Sequence, residues 1–297
     1  MSTRKRYKKR KTKKNKSIKY IKESCSPKKK GDQLSFTCYT SEALFKLKKV
    51  WNVRHPDQII KSNKPREIWE KLREFTKNTC STESCWLRHQ CIKNDLDKSM
   101  WDNNFAPYSP KTWSRNPQEW LTSTDIQKVM AQWEKAYPNF IFIGPSPINY
   151  DEHLAFNECV WEELCKFSLM NYIKQGVTKI GVIFNLDKHY QPGSHWVALF
   201  IDGEKKKIYY FDSYGDDIPS HIDNFSKEVS RQSEIMGEKY EIIISKNRHQ
   251  YGNSECGMYS LFFLVQLLQG TSHATFEKYR IPDKKMIELR KKFFNSQ

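Results

Sequence analysis

Long apolar stretches are absent from this 297-residue chain. No run approaches the roughly 18 consecutive apolar residues of a membrane-spanning helix, so none is expected. The first residues have no apolar h-region either, which argues against a secretory signal. Acidic residues are scarce in one place only. Residues 1–30 carry 15 Lys/Arg against the single acid Glu23, while the other 267 carry 36 basic and 33 acidic side chains. The net charge of +17 therefore sits on a tail rather than on the body of the protein. That tail also has almost no apolar content with which to offset the entropy of ordering itself, so residues 1–30 are expected to be disordered. A cationic run of this kind suits nucleic acid, a nuclear address or an acidic surface, and serves equally as a solubilising tail. Internal repeats are missing. The eight cysteines form no short disulfide framework, and without an export signal they are expected to be reduced thiols in an intracellular compartment.

The rest of the chain reads as two parts. Residues 31–115 form a helical N-terminal arm: Ala43, Leu44, Leu47 and Val50–Trp51 recur at helical spacing, and Pro65 opens a second amphipathic helix bearing Ile68, Trp69, Leu72 and Phe75. Within 101–117, Pro107, Pro110 and Pro117 mark the candidate linker. Residues 116–297 form the main domain. Thr122-Ser123-Thr124-Asp125 caps a helix that stops before Pro138, Pro145 and Pro147 mark a loop, and 158–173 reads as one helix. Strand-like runs follow at 179–186, 195–202, 207–212 and 240–245, with helices at 220–236 and from Pro282. Strands clustered between helices make an α+β fold, a central mixed sheet with helices packed on it.

The segment Arg248-His249-Gln250-Tyr251-Gly252-Asn253-Ser254-Glu255-Cys256-Gly257-Met258-Tyr259 sets a cysteine at the head of the apolar run 259–268. In the first turn of a helix, Cys256 meets unpaired N–H groups and the positive dipole end, both of which favour a thiolate. Upstream, Gly193-Ser194-His195-Trp196 opens one strand, and Tyr209-Tyr210-Phe211-Asp212 ends the next. A tight turn at Gly203-Glu204, with Gly203 supplying a positive φ, sets His195 directly across from Asp212, with Cβ atoms about 4.5–5.5 Å apart. The lysines at 205–207 leave a longer loop open, which would shift that register. Alternation sends Trp196 to the opposite face, a packing position. The chemistry these residues suit is nucleophilic. Cys256 attacks a carbonyl carbon, and His195 holds its proton and later gives it to the leaving amine. Asp212 orients the imidazole, and a Gln250 side-chain N–H joins the Cys256 backbone N–H in an oxyanion hole. Gly252 and Gly257 let backbone approach a substrate unobstructed.

These residues resemble the adenovirus-protease and Ulp/SUMO-protease class of cysteine peptidases. Members show a His-Trp pair, an Asp or Asn further on, then a Gln shortly ahead of an acid-Cys-Gly. Here that pattern is His195-Trp196, Asp212, Gln250 and Glu255-Cys256-Gly257. Papain-like enzymes differ in placing the cysteine first. Within the class the chain is similar to the African swine fever virus polyprotein-processing protease and its relatives in other large DNA viruses. The likeness runs through Arg248-His249-Gln250, Cys256-Gly257, Tyr259-Ser260 and His195-Trp196-Val197-Ala198 with Phe200. It covers 117–297 well and 40–116 poorly, and the tail has no counterpart. One departure is Asp212, where that viral enzyme has Asn, a return to the commoner form of the class.

The resemblance implies a Ulp/adenain-like, papain-type core as the catalytic domain at 116–297. It also implies cleavage after Gly-Gly, with viral structural precursor polyproteins as substrates during virion maturation; no cofactor or metal is expected. The implied location is the virion and the viral factory of the host cytoplasm, with the nucleus accessible through the basic tail. By analogy Trp196 walls a narrow tunnel that admits only residues without side chains, with Gly257 beside it; this stands next to the packing role. A ubiquitin- or SUMO-like isopeptidase acting on host conjugates is the alternative. A non-enzymatic, nucleic-acid-binding virion protein built around the tail is the second alternative. Cys80, Cys85, His89 and Cys91 offer four potential zinc ligands, but their intervals match no common finger or ribbon, so a short helix presenting Cys85, Trp86 and Leu87 to the arm's core is expected instead. His189 and His249 are expected in loops at the cleft rim, and Asp202 at an ordinary turn. Trp101, Tyr108, Trp113 and Trp120 are expected to glue the linker to the domain beneath. No membrane partner is expected, and the oligomeric state does not follow from the sequence.

Overall fold

Apolar residues spaced three and four apart become helices in the N-terminal part of the chain, and the alternating runs further on become a sheet. The computed structural model describes residues 20–29, 31–88 and 99–296. Two units emerge: residues 1–23 with 41–97, and residues 24–40 with 98–297. In the smaller unit, α1 (Ser41–Arg54), α2 (Pro65–Thr76) and α3 (Cys85–Arg88) bury Leu44, Leu47, Trp51, Ile68, Leu72 and Trp86. Trp51 stacks on Phe75 at 5.5 Å, and Trp69 donates from Nε1 to Glu83 at 3.0 Å. A Cys80–Cys85 disulfide closes the turn before α3, so these two candidate zinc ligands are spent on each other. His89 and Cys91 lie outside the described residues.

The larger unit contains α4 (Ser99–Asn104), α5 (Ser123–Ala136), β1 (Phe140–Pro147), α6 (Glu162–Cys165), α7 (Leu169–Lys174), β2 (Lys179–Asn185), β3 (Trp196–Asp202), β4 (Lys207–Phe211), α8 (Ser220–Ile235), β5 (Glu241–Ile244), α9 (Cys256–Leu268), α10 (Ala274–Lys278) and α11 (Asp283–Phe293). The sheet order is β1-β2-β3-β4-β5, with β1/β2 and β4/β5 parallel and the two central pairs antiparallel. Every residue of β3 is buried, because helices cover both of its faces. On one face Ala198, Phe200, Tyr209 and Phe211 pack against α9 and α5; on the other Val197, Leu199, Ile208 and Tyr210 pack against Ile222, Phe225 and Val229 of α8. Helix α9 buries 11 of its 13 residues, as a helix apolar on all sides must. Helix α5 starts at a reciprocal capping box: Thr122 Oγ1 accepts from Asp125 N at 3.2 Å, and Asp125 Oδ2 accepts from Thr122 N at 3.0 Å.

Several expectations are corrected. The stretch around Pro145 and Pro147 is not a loop but part of β1; as an edge strand with a register shift between Ile143 and Ser146, it tolerates residues that cannot donate to a ladder. The single helix expected at 158–173 is two short ones, with Ser168 capping the second. Residues 101–117 are no free linker: Phe105 and Ala106 are buried, Trp101 stacks on Tyr108 at 4.2 Å, and Trp113 meets Phe294 at 5.0 Å. The prolines bend this segment against the body, as the aromatic cluster suggested, although Trp120 remains 44% exposed. Residues 20–29, expected in the tail, are fixed by specific contacts. Tyr20 donates to Glu83 at 2.8 Å, Ser24 N donates to Asn295 Oδ1 at 2.8 Å, and Cys25 is bonded to Cys38. Residues 1–19 lie outside the described residues.

The thiols are not all reduced. Cys25–Cys38, Cys80–Cys85 and Cys159–Cys165 are disulfides, each joining cysteines 5 to 13 residues apart through a local turn. A search for a compact framework of long-range pairs overlooks such local ones. Cys256 is the free cysteine among the described residues. No described helix is long and apolar enough to cross a membrane.

Candidate active site

β3 and β4 are antiparallel, so the residue entering β3 and the residue leaving β4 lie at the same end of the sheet. His195 is the first of these and Asp212 the second. Asp212 is 1% exposed, and its Oδ1 accepts from His195 Nε2 at 2.7 Å and from the Tyr214 backbone N–H at 2.9 Å. The expected meeting occurs, but through a different register. Ala198 faces Phe211 and Asp202 faces Lys207, so the connection is a four-residue turn rather than a two-residue one. The positive φ falls on Lys206 (57°), not on Gly203. Gly203 is required for another reason: a Cβ there would come within 3.0 Å of Thr178 O and of Tyr240 Oη. Continued outward, this register puts Tyr214 opposite His195, and the two rings stack at 4.8 Å with 16° between planes. Asp212 therefore reaches His195 diagonally.

Helix α9 packs on β3 and brings its first residue, Cys256, to the same end of the sheet. With Nε2 committed to Asp212, Nδ1 is the ring nitrogen left for Cys256, whose interaction with the imidazole raises its pKa. Burial alone would lower the His195 pKa; the hydrogen bond to Asp212, then the one to Cys256, and the charges of both outweigh it and hold the imidazole at about 9. The cation is thus the form present at neutral pH.

Gln250 is fully buried in the loop ahead of α9. Ser213 Oγ donates to its Oε1 at 2.6 Å, which fixes which way the amide points, and Nε2 donates to Gly252 O at 2.9 Å. The second N–H of Nε2 meets only the distant Tyr214 Oη at 3.4 Å. The loop itself is pinned from α11. Asp283 Oδ2 accepts from the Tyr251 and Gly252 N–H groups, each at 3.1 Å, and Arg290 Nε donates to Glu255 Oε2 at 2.8 Å. Both members of that ion pair are buried, at 4% and 2% side-chain exposure. Sequence reasoning assigned no role to Ser213, Tyr214, Asp283 or Arg290; a correct register would have exposed Tyr214 alone.

Trp196 takes the packing role. Its indole N–H donates to Leu121 O at 3.0 Å, and a Cβ on Gly257 would sit 3.2 Å from Trp196 Cδ1 and 3.0 Å from Leu121 Cβ, so it packs beneath the head of α9. It also lines a groove of about 570 Å³ together with Trp120, Trp161, Asn185 and Gly193. His189 lies on that groove, its Nδ1 2.9 Å from the Asn149 amide. His249 does not reach a rim: it is fully buried among Phe211, Phe276 and Tyr259, accepts from Ile281 N at 3.0 Å, and burial holds its pKa below the usual imidazole value. Asp202 ends β3 and accepts from Lys205 N at 3.1 Å, an ordinary turn contact. Among the described residues, His153, Cys159 and Cys165 bring donor atoms within 4.8 Å of one another, but the two sulfurs are bonded to each other.

Residues 175–297 match the Ulp1 protease family, C-terminal catalytic domain. The chain is a cysteine peptidase whose residues 175–297 form an Ulp1-like domain. A thiol protease of Acanthamoeba polyphaga mimivirus is 29% identical to this peptidase over 297 residues, spanning 92% of this chain and 93% of its own length. The cysteine protease of African swine fever virus is 27% identical over 259 residues, 82% of this chain and 93% of its own. A crystal structure of an African swine fever virus protease superimposes on the peptidase with a TM-score of 0.66 at 21% identity, covering 94% of this chain and 98% of that one. The shared fold is the mixed five-stranded sheet flanked by helices, with a helical N-terminal region.

Proposed function

We propose that this peptidase cleaves structural precursor polyproteins after Gly-Gly during particle maturation, in assembling virions of the host cytoplasm. The observation that carries the reading is the groove lined by Trp120, Trp161 and Trp196, the last of which packs against Gly257 beside Cys256. Indole walls leave room for backbone and little for side chains, which favours glycines on the acyl side of the scissile bond. Relatives described as SUMO-1 cysteine proteases support a second reading, an isopeptidase acting on ubiquitin-like conjugates. The same groove suits the Gly-Gly end of such proteins.

In this reading Cys256 Sγ adds to the carbonyl carbon of the second glycine while His195 Nδ1 holds the thiol proton. The oxyanion takes hydrogen bonds from the Cys256 backbone N–H and from the second N–H of Gln250 Nε2, the one engaged only at 3.4 Å. His195 passes its proton to the departing amine, leaving a thioester. Water then attacks, gives its proton to Nδ1, and the carboxylate product leaves. Throughout, Asp212 holds Nε2–H and keeps the ring in one tautomer.

A peptide library built around Gly-Gly-X tests the assignment. Cleavage is expected after the second glycine, to fall when either glycine becomes alanine, and to vanish with Cys256→Ala. Reaction with ubiquitin-like vinyl sulfone probes, with no library peptide cut, would replace precursor processing by the isopeptidase reading.

A further inference from the structure

Arg290 has a side to it that the reacting residues do not use. The residue is 3% exposed; Nε is committed to Glu255, Nη2 lies 3.4 Å from Ser254 O, and the guanidinium lies 4.5 Å from the Trp113 ring centroid. Nη1 and the Trp113 indole nitrogen are both buried without an acceptor. Buried donors are paired in the great majority of cases, so two orphans from adjoining side chains call for a shared partner. Both residues line one cavity of about 470 Å³ between the 109–117 segment and α11. Pro110, Ile287 and Phe294 add apolar wall, while Lys111 and Lys291 add positive charge, and no Asp or Glu lines it.

We propose that this cavity binds an apolar carboxylate, an acid group on an aromatic or aliphatic body, and that its occupancy governs the reactivity of Cys256. The body lies against Trp113 and Phe294. The carboxylate takes the Arg290 Nη1 and Trp113 Nε1 donors within the field of Lys111 and Lys291, a charge-assisted pairing. Nε and Nη2 stay on Glu255 and Ser254, so a bound acid holds the guanidinium from its far side and stiffens the turn that leads directly into the nucleophile. Two sources carry this chemistry, the C-terminal residue of a peptide and a free fatty acid.

Calorimetric titration of the full chain with N-acetylphenylalanine, N-acetylphenylalaninamide and decanoate tests the binding. An acid is expected to bind at one equivalent, the amide at least tenfold more weakly. The double variant Lys111→Ala/Lys291→Ala, two exposed positions, is expected to weaken the acid at least tenfold. Tighter binding of decanoate assigns the lipid source, and tighter binding of the amino-acid derivative the peptide source. Coupling is read from the iodoacetamide alkylation rate of Cys256, followed on its own tryptic peptide and so independent of any choice of substrate. The rate is expected to change at least twofold with the acid and not with the amide. Equal affinity for acid and amide, undiminished binding to the double variant, or no binding at all overturns the site. Binding with an unchanged alkylation rate overturns the link to Cys256.

Discussion

His195 stays protonated to about pH 9 because Asp212 and Cys256 supply more than burial removes. Two consequences follow for pH. Since the folded pKa lies above the usual 6.5, the interaction stabilises the protein fully below about 6.5 and is lost as pH rises through 9. In the proposed mechanism the same imidazolium protonates the leaving amine, so kcat/KM is expected to fall above about pH 9. Asp212→Asn removes the largest contribution that raises this pKa, and should move that falling limb to lower pH. A pH–rate profile of both proteins checks it; an unmoved limb in the variant would assign the transition to another group. Gln250 is a second test at this scale. Its replacement by alanine should cost about 2.7–4 kcal/mol in kcat if it serves the oxyanion. Ser213→Ala keeps the amide but frees its orientation, so the loss in kcat should be smaller, with KM little changed, in steady-state assays of a Gly-Gly-X peptide.

Among the elements, α11 decides how firmly the nucleophile's loop is held, because Asp283 and Arg290 reach it from opposite ends of that helix. Arg290→Met leaves Glu255 buried beside Cys256 without its cation, a loss of about 3–5 kcal/mol. Pairing that change with Glu255→Leu should recover most of the stability, since removing both charges together is often neutral. Urea denaturation of the two single variants and the double completes the cycle; an unrecovered double would show that the pair does more than neutralise itself. These contacts explain what the sequence could convey. His195, Asp212, Gln250 and Cys256 were legible because each belongs to a short local motif with chemistry attached, and the strands and helices carrying them follow their hydrophobic periods. Tyr214 was hidden by two residues of register, which the run of lysines after Gly203 obscured. Asp283 and Arg290 were hidden because an acid and a base on an exposed-looking amphipathic helix read as solvated until that helix is docked. β1 was hidden by its prolines, whose meaning depends on the strand being an edge. The disulfides were hidden because local cysteine pairs look the same oxidised or reduced.

On the scale of the whole molecule, the candidate site residues lie in a nearly balanced body while the surplus charge lies elsewhere. Residues 1–19 hold 11 Lys/Arg and no acid, and Tyr20 and Ser24, which follow them, make specific hydrogen bonds to Glu83 and Asn295. We propose that this segment binds the polyanion present where particles assemble, concentrating the peptidase on its precursors without touching the catalytic chemistry. Counterion release makes such binding fall steeply with salt, with log K losing about 0.9 per phosphate neutralised for each tenfold rise. Fluorescence anisotropy with a 30-base-pair duplex should therefore show at least a tenfold loss of affinity between 50 and 200 mM salt, as about two or more neutralised phosphates require. Deleting residues 1–19 should abolish that binding and leave kcat/KM on a short Gly-Gly-X peptide unchanged, since no residue of the groove or of the His195–Cys256 pair is removed. An affinity indifferent to salt would rule out a polyelectrolyte contact, and a truncated protein that still binds would move the nucleic-acid surface onto the folded body.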